Sequence, residues 1–339
     1  MKRISIFLFL IFLFSYPLWS QNTFKASDFS DKYYATIFLE EPNQVFSAGW
    51  IAVYDKQTDK ELVKVESEEL AASFSKDGEV TINVQELPYG EQSLIICSDF
   101  NCDGIDDLAI QDGQNSCYHG PSYIIFISKN GILVEDDSLT RLAQEYCGMP
   151  QIDCVQKRAF VMTKSGCCWH QYQTYDLEKG VPRLIENIEE DAFRFPFVTT
   201  TVSRWDSEGK EESDITYSLN VLDEDVIFSF EIAKNKKKVY LIRISDSKLC
   251  YCLEKVDGTL EFIYPENGDG VFQLATNKNL NTLSFSNANA TYTIYNSSAK
   301  VGISVQIGGK TYNMPGVLLS RKGNISASDL QSFENVSIP

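Results

Sequence analysis

Along most of this chain, short runs that alternate polar and apolar residues, or are apolar throughout, are separated by turn residues. Tyr34–Leu39, Ala48–Tyr54 and Glu61–Val65 read as strands, and Glu79–Val84 has the alternation of a half-buried one. Leu94–Cys97 and Leu108–Ile110 are short and wholly apolar, as buried strands are. Gln111–Pro121 is rich in turn residues and predicts a loop, followed by a strand at Ser122–Ile127. Ser138–Tyr146 sets Leu139, Leu142, Ala143 and Tyr146 at helical spacing, with Asp137 or Ser138 to cap it and Gly148 to stop it. Ala159–Thr163 and Trp169–Tyr175 look like a strand pair, and Leu184–Glu190 closes the region.

Phe193–Pro196 marks a boundary. Beyond it the chain is strand and turn from Thr199–Ser203 to Gly302–Ile307, punctuated at Asn235, Asp257-Gly258, Asn267-Gly268 and Gly308-Gly309. The expected fold is mainly β. A propeller- or sandwich-like β domain with one short helix spans 21–195, and an antiparallel β domain spans 196–339. The chain is 43% hydrophobic and 12% aromatic, enough to bury a sizeable core.

The first twenty residues read as a signal peptide. Lys2 and Arg3 precede the apolar run Ile4–Phe14, Ser20 offers a small residue for cleavage, and Gln21 begins the mature chain. An uncleaved anchor is the alternative. The run is too short to span a bilayer comfortably, and no later segment is long and apolar enough, so the mature protein is expected to be periplasmic or secreted. Residues 1–20 hold two bases and no acid, so without them 28 Lys and Arg face 47 Asp and Glu, a net charge of −19. That argues against nucleic acid and anionic membrane as partners and favours cations or a basic protein. Solubility alone is the plainer reading of the same charge.

All nine cysteines lie in the mature part, and nine is odd. In an exported chain disulfides are the expected use. Most of the seven in Cys97–Cys168 are expected to be bridged, with Cys102 paired to Cys117 because both flank one loop system. Zinc is the alternative, but no two CxxC pairs occur. Cys250 and Cys252 point to one face of their strand.

Between the two apolar runs stands DFNCDGIDD. Asp99, Asn101, Asp103 and Asp107 occupy loop positions 1, 3, 5 and 9. Gly104 permits the sharp turn, and the Ile105 carbonyl points back to the middle. Hard oxygen donors at this spacing suit Ca²⁺. An EF-hand needs flanking helices and a Glu at position 12, where Ile110 stands, so this is a strand–loop–strand site. A metal-free Asp/Asn/Gly turn is the alternative.

Catalytic motifs are scarce. GxSxG, HExxH, P-loop and GxGxxG are absent, and the two histidines are His119 and His170. His170 follows Cys167-Cys168-Trp169, so a Cys-His dyad can be drawn, but disulfide-bonded cysteines are the stronger expectation. Glu40-Glu41, Asp106-Asp107 and Glu189-Glu190 are candidate paired carboxylates of a glycan hydrolase, although in so acidic a chain such pairs are commonly solvated surface.

The segment from about Ser93 to Glu190 resembles a family of bacterial periplasmic or secreted proteins with one FG-GAP-like calcium loop. The motifs that carry the likeness are Asp99–Leu108, Gly120-Pro121-Ser122-Tyr123, Leu139–Leu142 and Ser165-Gly166-Cys167-Cys168-Trp169-His170. The best understood members are calcium-dependent immunity proteins of contact-dependent killing systems, which inhibit a lysozyme-like peptidoglycan hydrolase. The resemblance implies a calcium-binding, non-enzymatic inhibitor of a basic lysozyme-like hydrolase, with no inhibitory residue carried over. It covers under a third of the chain. Leu249–Gly316 resembles the β domain of other secreted bacterial proteins, which brings no function. A secreted hydrolase and a structural or adhesive surface protein stay open as alternatives.

Overall fold

The computed structural model describes residues 22–86, 91–245, 247–266, 270–277 and 279–339. The expected signal peptide and the Asn267-Gly268 turn lie outside the described residues. The chain is mainly β, built from several antiparallel sheets, with two short helices among the described residues. It divides into two compact units, Met1–Met162 with Tyr175–Arg183, and Thr163–Thr174 with Leu184–Pro339.

In the first unit, β1 (Thr23–Ala26), β2 (Tyr33–Leu39), β3 (Ser47–Asp55) and β4 (Glu61–Leu70) form one antiparallel sheet in chain order. β5 (Ile95–Ser98), β6 (Asp107–Ser116), β7 (Gly120–Lys129) and β8 (Ile132–Glu135) form a second. The alternating Tyr33, Ala35, Ile37 and Leu39 of β2 are buried with Leu94, Ile95, Leu108 and Ile110, so the two sheets close over one core. The opposite face of the second sheet, including Ile96, Ala109, Tyr123 and Ile125, packs on Leu139, Leu142 and Ala143 of α1 (Asp137–Gln144). Strands covered on both faces have no reason to alternate, which is why Leu94–Cys97 and Leu108–Ile110 are apolar throughout. The α1 cap is Asp136, one residue earlier than expected; its Oδ1 accepts the Ser138 and Leu139 amides at 3.0 and 2.9 Å. β9 (Gln151–Asp153) pairs with the start of β10 (Arg158–Ser165).

β11 (Trp169–Asp176) and β12 (Arg183–Asp191) lead into the second unit, where β12, β13 (Phe197–Trp205) and β14 (Glu211–Leu219) pair antiparallel. There β15 (Val226–Glu231), β16 (Lys238–Ser245), β17 (Lys248–Glu254) and β18 (Leu260–Tyr264) make one sheet. A second holds β19 (Phe272–Asn277), β20 (Leu280–Asn287), β21 (Ala290–Asn296), β22 (Val301–Ile307) and β23 (Lys310–Pro315). β24 (Lys322–Gly323) adds to β15, α2 (Ala327–Leu330) follows, and β25 (Val336–Ser337) runs parallel to β19. The core between these sheets is ringed by aromatics: Phe285 stacks on Tyr264 and Tyr292 at 4.3 and 4.9 Å.

Two expectations are corrected. Glu79–Val84 is not a strand. Only Val80 bridges, to Phe74, and Asn83 turns to φ 59° so that its Oδ1 can accept the Cys97 amide at 2.7 Å. Gln111–Ser116 is not loop but the second half of β6. Several of its polar side chains turn inward to partners there: buried Gln111 Oε1 accepts the Ala71 amide at 2.7 Å, and half-buried Asp112 accepts Ser122 Oγ and Gln144 Nε2.

Disulfides join Cys102 to Cys154, Cys117 to Cys147, and Cys167 to Cys168. Six of the seven cysteines in Cys97–Cys168 are therefore bridged, and Cys97, Cys250 and Cys252 are free. The expected Cys102–Cys117 pair is wrong because the two flank opposite ends of β6. Bridges of this number belong to an oxidising, extracytoplasmic setting. Among the described residues, no helix is long and apolar enough to cross a membrane.

Candidate functional site

The loop from Asp99 to Asp107 joins β5 to β6. Its side chains are wound onto its own backbone. Asp99 Oδ1 and Oδ2 accept the Asp103 and Gly104 amides at 3.1 and 2.8 Å. Asn101 Oδ1 accepts the Asp103 amide at 3.0 Å, and Asp103 Oδ1 accepts that of Ile105 at 2.9 Å. Gly104 takes the φ of 87° that the turn requires, at which a side chain would be strained. Phe100 anchors the loop in the core, and the Cys102–Cys154 bridge ties its crown to the segment after β9. Asp107 differs from the rest. It is fully buried, with its oxygens accepting the Phe100 and Ser128 amides at 3.0 and 2.8 Å. Burial, with the charges of Asp103 and Asp99 adding to it, pushes its carboxyl up to about 6 against the pull of those two amides.

The donor chemistry fits a hard divalent cation: Asp99, Asn101, Asp103 and Asp107 supply oxygens, and no base lies in the loop. The side chains are not drawn around one centre, however. Among the described residues, no group of three or more His, Cys, Asp or Glu is gathered closely enough to hold a metal. The Ile105 residue is exposed at the rim.

A raised carboxyl has a definite pH signature. Asp107 binds its proton more tightly folded than unfolded, so in chelator its contribution to the first unit's stability should rise as pH falls, by about 1 kcal/mol between about pH 7 and about pH 5 and by about 3 kcal/mol in full only once the pH is below the unfolded value of about 4. Saturating calcium should reverse that slope, because the ion takes the charged form. Urea unfolding at several pH values, with and without chelator, measures both. A flat profile in chelator contradicts the assignment.

At the far end of β6, nine residues and about 30 Å along the strand at about 3.3 Å per residue, the chain reverses. The Gly120 amide donates to the Cys117 carbonyl at 3.1 Å, and the two residues between, Tyr118 and His119, have φ of 56° and 57°. This is the geometry of a type I′ turn, which strongly favours Asn-Gly. Tyr118 and His119 form the one pair of consecutive non-glycine residues at positive φ among the described residues. The turn is braced. Cys117 is bridged to Cys147, His119 Nε2 meets Glu69 Oε2 at 2.8 Å, and the His119 ring lies 5.0 Å from Phe46. Tyr118 remains 62% exposed and Phe46 38%, so an aromatic patch is held open to solvent. Phe46 and Glu69 had no signal of their own in the sequence, since each is brought to the turn from a distant strand or loop.

The other candidates disperse. Cys167 and Cys168 are bridged to each other, which removes the thiol a Cys-His dyad needs, and His170 stacks near Tyr172 instead. Glu189 and Glu190 are strand neighbours and point to opposite faces. Glu189 Oε1 accepts Gln171 Nε2 and Asn187 Nδ2, while Glu190 lies beside Tyr172. Asp106 is exposed where Asp107 is buried, and Glu40 and Glu41 are both exposed.

The sequence matches no protein-family profile and no curated protein. Among solved structures, the chain is similar to a Xanthomonas type IV secretion system related protein. That match has 20% identity, covers 56% of this chain and 92% of that one, and has a TM-score of 0.45. It is also similar to TolB from Acinetobacter baumannii, at 11% identity over 85% of this chain and 64% of that one, with a TM-score of 0.20.

Proposed function

We propose that this chain is an exported binding protein without catalytic chemistry. Its first unit inhibits a lysozyme-like peptidoglycan hydrolase by seating the Tyr118–His119 turn in the sugar-binding cleft. The observation that carries this reading is the turn itself. Side chains at positive φ cost of order 1–3 kcal/mol each and persist only where the surroundings enforce them, which is commonest at functional sites. Here a disulfide, a hydrogen bond and an aromatic contact enforce two in a row, and the side chain thus displayed is an exposed tyrosine. A pre-ordered aromatic loses little entropy when it fills a pocket, and such residues are frequent interface anchors. The resemblance of Ser93–Glu190 to calcium-loop inhibitors points the same way.

In this reading Asp99, Asn101, Asp103, the Ile105 carbonyl and Asp107 hold Ca²⁺ with a Kd of about 10⁻⁴–10⁻³ M, the range of extracellular modules. The ion sits at the opposite end of β6 from the turn, so it stabilises the scaffold rather than shaping the contact surface.

The test is peptidoglycan clearing by a panel of basic lysozyme-like hydrolases, with and without the full-length protein. Saturating protein should slow at least one of them, and chelation should weaken the effect to the extent that it unfolds the first unit. Tyr118→Ala should raise the inhibition constant about 30-fold, the scale of a ~2 kcal/mol hot spot. Association should slow as salt rises, because screening removes steering by an acidic surface. Full hydrolase activity across the panel in ~1 mM calcium sinks the inhibitor reading. Clearing by the protein alone sinks the non-enzymatic one.

A further inference from the structure

Arg321 is held in place without a carboxylate. There are 47 acidic residues against 30 Lys and Arg, yet among the described residues the Arg321 guanidinium makes no ion pair. It is held by neutral acceptors instead. Nη1 donates to Asn296 Oδ1 at 2.9 Å and to the Ser297 carbonyl at 2.7 Å. Asn296 is itself 4% exposed and fixed in orientation, because its Nδ2 donates to Asn324 Oδ1 at 2.7 Å. That oxygen also accepts the Ile325 amide at 2.9 Å. This arrangement locks one edge of the guanidinium without neutralising it. Nε and Nη2 make no hydrogen bond among the described residues.

Arg321 lines a cavity of about 430 Å³ in the second unit, together with Asn279, Asn281, Asn296, Ser297 and Ser298. Gly323 and Asn324 complete the wall, and among the described residues no carboxylate enters it. The side-chain amides of Asn279 and Asn281 make no hydrogen bond among the described residues. A planar guanidinium with one free edge matches the two oxygens of a carboxylate or phosphoryl group. Amides and hydroxyls around it can both donate to and accept from alcohol groups. The volume suits a ligand of monosaccharide size.

We propose that this cavity binds a small hydroxylated oxyanion, a sugar acid or a sugar phosphate. Arg321 takes the oxyanion, and Asn279 and Asn281 take the hydroxyls. The site lies wholly in the second unit and does not depend on the inhibitor reading of the first.

The two sources of oxyanion are separated by probe. Isothermal titration of the full chain with glucuronate and with glucose-6-phosphate, at constant ionic strength, is compared with neutral glucose. At least one anion should bind saturably and glucose roughly tenfold more weakly, the scale of a charge-assisted hydrogen bond. Glucuronate alone identifies a carboxylate ligand and glucose-6-phosphate alone a phosphoryl one. Arg321→Gln should weaken binding by about tenfold or more. Arg321 also staples Asn296 and Ser297, so Asn281→Asp provides the second arm. It leaves every contact of Arg321 in place but puts a competing carboxylate in the cradle, and it should abolish binding with an unchanged Tm. The proposal is overturned if neither anion binds more tightly than glucose, or if binding survives both substitutions.

Discussion

Replacing Tyr118 by Asn and His119 by Gly is expected to make the protein more stable and inactive at once. The turn already has the type I′ geometry that Asn-Gly adopts with least cost. The exchange should therefore release the strain of two residues at positive φ, of order 1–3 kcal/mol each. Against that stand the exposed His119–Glu69 pair, worth about 0–1 kcal/mol, and the His119–Phe46 contact, worth about 0.5–1.5 kcal/mol. The balance is a gain of about 1–2 kcal/mol, which in a unit of this size raises Tm by roughly 2–8 °C. Inhibition of the sensitive hydrolase should fall by about 100-fold or more, since both anchor side chains are gone. Calorimetry and a clearing assay on one preparation read the two effects. A variant that is less stable, or that inhibits like the parent, removes the argument from the turn.

The second large effect is expected at Cys102–Cys154. That bridge spans a sequence separation of 52 residues, and cross-linking a loop of that length restricts the unfolded chain by about 4 kcal/mol. Cys102→Ser with Cys154→Ser should lower the first unit's stability by that amount and loosen the crown of the Asp99–Asp107 loop, weakening the calcium binding proposed for it. Cys167 and Cys168 are neighbours and enclose almost no chain, so serine at both should cost only about 1 kcal/mol on the same scale. Urea midpoints of the two double variants, at equal slope, decide it. Equal losses would show that loop closure is not the source of the stabilisation.

The sequence was legible where one physical requirement dominated a segment. Alternation marked β2 and much of the second unit, and apolar runs marked β5 and the start of β6, because burial on one face or two leaves little freedom of residue type. The helix was legible from its spacing, and the Asp99–Asp107 turn from its Gly and Asx positions. Gln111–Ser116 was misread because several of its polar residues turn inward to partners from other elements, such as the Ala71 amide and Gln144, which no local window contains. Glu79–Val84 was misread for the converse reason: its alternation is real, but Asn83 spends its side chain on the Cys97 amide and leaves the extended conformation. The Cys102–Cys154 and Cys117–Cys147 bridges, the contacts of His119 with Phe46 and Glu69, and those of Arg321 with Asn296 and Ser297 all join residues 24 or more positions apart, and only the folded chain brings them together.

β6 carries the ion-binding candidate at its first residue and ends one residue before the turn that bears Tyr118. This gives evolution two separable dials. In the proposed reading, substitutions at the Cys117–Gly120 tip would follow a changing target without disturbing Asp107, and the loop would be tuned to the calcium of a new habitat without altering what the tip recognises. Descendants of such a chain should therefore diverge fastest at the tip while keeping the strand between the two ends, with its buried Gln111 and Gln114, almost fixed.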